Sequence, residues 1–131
     1  MSILGSIAKK TVDIRANRVT IEQNYCELVR VRDSLYPDYN IFVSICEDIL
    51  EGIDNHKFSM YPNIPVIIVE IRRSSIVVRF KYHYCEGFRT FKVEGKMEKV
   101  ANVLEDFLCS SFKVQKKQEN KYMTQLECYW K

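Results

Sequence analysis

Residues 66–84 read VIIVEIRRSSIVVRFKYHY, and the alternation in this stretch decides the fold class. Side chains of an extended chain point to opposite sides in turn. Ile76, Val78, Phe80, Tyr82 and Tyr84 therefore share one face, opposite Val77, Arg79, Lys81 and His83. The preceding run, Val66 to Arg72, is equally rich in β-branched residues, and Arg73, Ser74 and Ser75 between the two runs suit a hairpin connection. The apolar face of the second run is expected in the core. Its charged face is expected to project outward.

Working toward the C-terminus, Glu86 and Gly87 predict a turn into a third strand, Phe88 to Glu94, which Gly95 ends. Met97, Val100, Ala101, Leu104, Phe107 and Leu108 then recur at helical spacing, with charged and amide residues between them. Phe112 to Lys117 and Tyr122 to Trp130 predict a closing hairpin around residues 118–120.

Working toward the N-terminus, Asp38 is placed to cap a helix whose apolar stripe is Ile41, Phe42, Ile45, Ile49 and Ile53. Before it, Ile7, Ile14, Ile21, Leu28 and Leu35 recur every seven residues, in a stretch without proline from Ser2 to Leu35. Pro37 biases Tyr36 to extended geometry and ends that helix. The companion positions Thr11, Arg18, Tyr25 and Arg32 are poor coiled-coil residues, although Val12, Val19 and Cys26 make a second partial row. The element order is α-α-β-β-β-α-β-β. It predicts one α+β domain over residues 1–131, a long N-terminal helix (1–36) and a compact body (37–131), with three helices on one face of a mainly antiparallel sheet of about five strands.

A chain of 131 residues and 15.5 kDa, 47% hydrophobic and 28% charged, can bury a conventional core without metal or disulfide. No run approaches the ~18 apolar residues of a membrane span, and Met1 to Ala8 lacks the order of a signal peptide. A soluble cytoplasmic protein is expected. Cys26, Cys46, Cys85, Cys109 and Cys128 form no C-x-x-C pair, so they are read as buried thiols acting as small hydrophobes. Codon-level bias toward Phe, Tyr, Met, Ile, Asn and Lys points to an A/T-rich bacterium, its phages or another mobile element.

Charge is unevenly placed. Residues 38–54 hold five acidic residues and no Lys or Arg, while residues 57–99 hold nine basic residues against four acidic. On the acidic helix, Glu47, Asp48, Glu51 and Asp54 form a candidate partner-binding row that could mimic nucleic-acid phosphates. On the sheet, Arg79, Lys81 and His83, flanked by Arg72, Lys92 and Arg89, form a candidate face for nucleic acid or an acidic partner. The central α-β-β-β-α order is that of double-stranded-RNA-binding domains. The glycine, proline and histidine of their first hairpin loop are replaced here by Arg73, Ser74 and Ser75, and Lys96 and Lys99 are interrupted by Met97 and Glu98, so the order is read as shared topology alone.

Chemistry is scarce. His56 sits in a loop beside Lys57, and His83 shares strand parity with Cys85, with no third group to orient a Cys/His pair. Four glycines and no phosphate-loop, G-x-S-x-G or H-E-x-x-H pattern leave no catalytic, cofactor or metal site to expect. The reading is a non-enzymatic protein-interaction factor, of the kind that phages and mobile elements use to inhibit or modulate a larger host defence protein. A nucleic-acid-binding module using the basic sheet face is the alternative. The length of the Ile7–Leu35 stripe further predicts a homodimer through the first helix.

Overall fold

The computed structural model describes residues 12–35 and 39–131. Helix α1 spans Ile14–Arg30, the one-turn α2 spans Arg32–Leu35, and α3 spans Tyr39–Asp54. Strands β1 (Ile67–Arg72), β2 (Ser75–Lys81) and β3 (Glu86–Lys92) follow, then α4 (Met97–Ser111), β4 (Phe112–Glu119) and β5 (Met123–Trp130). The α+β class, the element order and the five antiparallel strands match the sequence expectation, with α2 added.

Helix α1 begins at Ile14 because Asp13 caps it. The Asp13 carboxylate accepts the N–H groups of Arg15 at 3.0 Å and Ala16 at 3.3 Å. Val12 is not helical, for its N–H donates to the Met60 carbonyl at 2.8 Å. The part of the expected helix before Val12, including Ile7, and the proposed Asp38 cap lie outside the described residues. Nor does the helix run unbroken to Leu35. The Val31 carbonyl accepts both the N–H and the hydroxyl of Ser34, at 3.0 and 2.8 Å, and the chain restarts as the single turn α2.

The sheet order is β3-β2-β1-β5-β4, all antiparallel. Thus β1-β2-β3 is the expected meander, while α4 carries the chain from one sheet edge to the other, where the β4–β5 hairpin returns to pair with β1. Ile67, Val69, Ile76, Val78, Phe80, Leu126, Cys128 and Trp130 are buried on the inner face. Against them pack Ile21 and Leu28 of α1, Phe42, Ile45 and Ile49 of α3, and Leu104 and Leu108 of α4. Those two stripe residues of α1 are satisfied within the chain, so Val19 and Val29 are what α1 leaves exposed.

Strand β2 stops at Lys81, earlier than the alternation suggests. Tyr82 forms a single bridge to Phe58, and its N–H donates to the Cys85 carbonyl at 3.1 Å, closing a tight turn. Tyr84, expected in the core, sits in that turn fully exposed. The loop after α3 is held down by Phe58, whose ring lies 5.1 Å from Tyr82 and 5.7 Å, edge-on, from Trp130. The Trp130 indole N–H donates to the Ser59 carbonyl at 3.0 Å. Gly52 on α3 is required by this packing, since a Cβ there would meet the Phe58 ring, at 2.8 Å from Cζ. Among the described residues no helix is long and apolar enough to cross a membrane.

Candidate functional site

The outer face of the sheet carries the residues of opposite parity to the core. By register, Arg79 stands opposite Ile68 on β1 and Phe88 on β3, and Lys81 stands opposite Glu86. Arg79 and Lys81 therefore project outward together as expected, but neither stands alone. Glu70 on β1 takes Arg72 at 2.6 Å and Arg79 at 3.5 Å, and Glu86 takes Lys81. The Lys81 ammonium, donating to the Glu86 carboxylate, holds the latter below its ordinary range. Lys92 lies opposite Ser75 at the sheet edge.

His83 does not continue the row. The strand has ended, the His83 N–H donates to the Lys57 carbonyl at 2.8 Å, and its ring packs beside Tyr84 at 5.8 Å. Arg89 also departs from its expected flanking place. It has the parity of Gly87 and Phe91, which puts it on the helix side, where it grips Asp48 of α3 with a second contact of 3.1 Å. The carboxylate beside it pushes the Arg89 guanidinium above its ordinary value.

The acidic row of α3 is divided in the same way. Asp48 is held by Arg89, and Asp54 accepts two hydrogen bonds from Arg18 of α1, at 2.8 and 3.1 Å. Arg18 holds the Asp54 carboxyl below its usual range. Glu51 has Lys57 at 3.9 Å, and Glu47 is the member exposed with no cation against it among the described residues. Two of the four candidate partner contacts thus fasten α3 to its own neighbours.

Exposed apolar side chains gather at one end of the sheet. Tyr84 is 99% exposed, Phe88 68%, Tyr61 46% and Ile64 40%. Tyr61 and Ile64 border a cavity of about 250 Å³ with Lys81, Tyr82 and His83, and Tyr84 packs on His83. Phe88 lies one outer-face rung from the Lys81–Glu86 pair. Sequence reasoning missed this cluster. The one signal for it was Pro62 and Pro65, which pin Tyr61 and Ile64 in a non-repetitive loop that no strand or helix face can bury.

The cysteines split. Cys46 and Cys128 are buried hydrophobes as expected, and burial pushes the Cys46 thiol up to about 12. Cys26, Cys85 and Cys109 are exposed, contrary to the expectation of five buried thiols. Among the described residues no group of three or more His, Cys, Asp or Glu is placed to hold a metal ion. No protein-family model matches the chain, and no curated protein or solved structure matches it either.

Proposed function

We propose that this chain is a small non-enzymatic protein-interaction factor that docks on a larger protein through Tyr61, Ile64, Tyr84 and Phe88. The observation that carries the reading is a contrast. The basic row and the acidic row are largely neutralised by partners within the chain, whereas these four apolar side chains meet water at one end of the sheet. Clustered exposed aromatics supply the desolvated anchors that dominate protein interfaces, while paired rim charges tune association rate and specificity. The Lys81–Glu86 pair, one outer-face rung from Phe88, is placed to serve as such a rim. The residue bias fits an A/T-rich bacterium, its phages or another mobile element alike, and within that range the small size suits an accessory factor whose partner is a larger host defence protein.

The test is comparative capture from the native host with wild type and with Y61S/I64S/Y84S/F88S, both verified as folded. Loss of one defined protein partner with the variant, reproduced with that partner purified, supports the reading. Equal capture by both refutes it.

Nucleic-acid binding is the second reading, and one observation favours it. The outer face sets Arg72, Arg79, Lys81, Lys92, Lys113 and Lys117 against Glu70, Glu86 and Glu127, a surplus of cations spread across the sheet, with the exposed Phe88 ring beside Arg79 at one edge. Bases stack on such rings, and phosphate contacts give a steep salt dependence. Retardation of RNA or DNA whose salt slope falls by about two contacts in R79Q/K81Q would favour this reading over protein docking.

A further inference from the structure

We propose that a cavity of about 350 Å³ between the start of α1, the end of α3 and the β2–β3 turn binds a small organic phosphate. Its polar lining is Arg15, Asp54, His56 and His83, and its apolar lining includes Ile53, Phe58 and Met60. The chain has two histidines, and the fold brings both to this one cavity from segments far apart in sequence.

Three further observations point to an anion. The one carboxylate in the lining, Asp54, is already engaged by Arg18 at 2.8 Å. Arg15 makes no ion pair among the described residues, so its guanidinium is available for a multidentate contact with phosphate oxygens. No group of metal ligands is assembled among the described residues, and Arg15 would repel a cation. Because half of the lining is apolar, a phosphate carried on an apolar body fits better than inorganic phosphate.

The backbone at His56 supports the same assignment. The His56 N–H donates to the Ile53 carbonyl at 3.1 Å and the Lys57 N–H to the Gly52 carbonyl at 2.8 Å, which is the Schellman pattern that ends α3. Its left-handed position, usually occupied by glycine in this motif, is here His56 at φ +52°. The helix end accepts strain in order to hold an imidazole on the cavity rim, and residues kept in strained conformations concentrate at ligand sites.

The test is a ¹H–¹⁵N NMR titration of the full chain with phenyl phosphate, inorganic phosphate and benzyl alcohol. Saturating shifts confined to residues 14–18, 52–60 and 82–84 are expected with phenyl phosphate, with inorganic phosphate weaker and benzyl alcohol not saturating. R15Q and H56G should each weaken phenyl phosphate by about tenfold, the loss of one charge-assisted or imidazole contact. H56G should also raise the melting temperature by relieving the φ strain, so weaker binding there is separated from unfolding. Neither substitution touches Tyr61, Ile64, Tyr84 or Phe88. Shifts scattered over Lys113, Lys117 and Lys121, or wild-type affinity in R15Q and H56G, would overturn the proposal.

Discussion

Substituting Gly52 by alanine should destabilise the wild-type protein and stabilise a variant that lacks the Phe58 ring. In an exposed helix, Gly→Ala is favourable by about 1 kcal/mol. Gly52 is buried on α3, and the added Cβ would lie 2.8 Å from Phe58 Cζ and 3.0 Å from Cδ2, with Cε2 closer still. The ring cannot swing clear, because Tyr82 stands 5.1 Å away on one side and Trp130 5.7 Å away on another. Overpacking of this kind costs about 1–3 kcal/mol, and so close an approach belongs in the upper part of that range, so G52A alone should lose up to about 2 kcal/mol net of its propensity gain. F58A alone should lose about 3–5 kcal/mol, as a large buried aromatic removed from between two others. In G52A/F58A the clash is gone and the propensity gain remains, so G52A should add about 1 kcal/mol in that background. Urea unfolding followed by the fluorescence of Trp130, the single tryptophan, reads all four corners of the cycle. An equal loss from G52A in both backgrounds would refute the reasoning, for it would mean that Gly52 is needed for its own backbone and not for the approach of Phe58.

Four other outcomes follow from the packing and the ion pairs. F80A, which empties a buried inner-face site, should cost about 3–5 kcal/mol, while R79Q/K81Q on the outer face of the same strand should move the melting temperature by less than about 3 °C in thermal denaturation. D48K, which sets an ammonium against Arg89, should cost about 1–2 kcal/mol, whereas E47K should leave urea stability unchanged, so the four acids of α3 are not interchangeable. The Cys46 thiol is raised from 9.0 to about 12, so its contribution is complete below about pH 9 and is lost as pH rises toward 12. At pH 10.5 that loss is about 2 kcal/mol, and the pH dependence of unfolding between pH 9 and 11 should be shallower in C46A. Self-association is expected from the heptad stripe, and among the described residues the exposed large apolar side chains of α1 are Val19 and Val29. V19E/V29E should then convert a dimer to a 15.5 kDa monomer in light scattering, and a wild type already at 15.5 kDa would end that expectation.

Local periodicity carried the fold, and tertiary events decided where it stopped being informative. The alternation of Ile76, Val78 and Phe80 placed β2 and its faces correctly because a half-buried strand has no other way to hide these residues. The same alternation runs on through Tyr82 and Tyr84, yet the strand ends at Lys81 because the Tyr82 N–H closes a turn on the Cys85 carbonyl, and Tyr82 pairs instead with Phe58, a contact set by distant packing. Asp13 was a legible helix start, but the seven-residue spacing from Ile7 passes straight through it and obscured the boundary. Charge rows could be counted from the sequence, whereas their partners could not. Glu70 neutralises Arg79 only because β1 lies beside β2, and Arg89 reaches Asp48 only because α3 packs over β3. Tyr61 and Ile64 belong to a loop without periodicity, so nothing in their spacing announced that they join Tyr84.

Site-specific photo-crosslinking in the native host tests the docking surface most directly. Tyr84→p-benzoylphenylalanine and Phe88→p-benzoylphenylalanine place the probe on exposed positions at the proposed surface. Tyr122→p-benzoylphenylalanine places it on an exposed aromatic at the opposite end of the sheet, since Met123 pairs with Arg72. A single protein adduct of defined mass from positions 84 and 88, absent from position 122 and unaffected by nuclease, is the expected result. Identical adducts from all three positions, or adducts that nuclease removes, would contradict it.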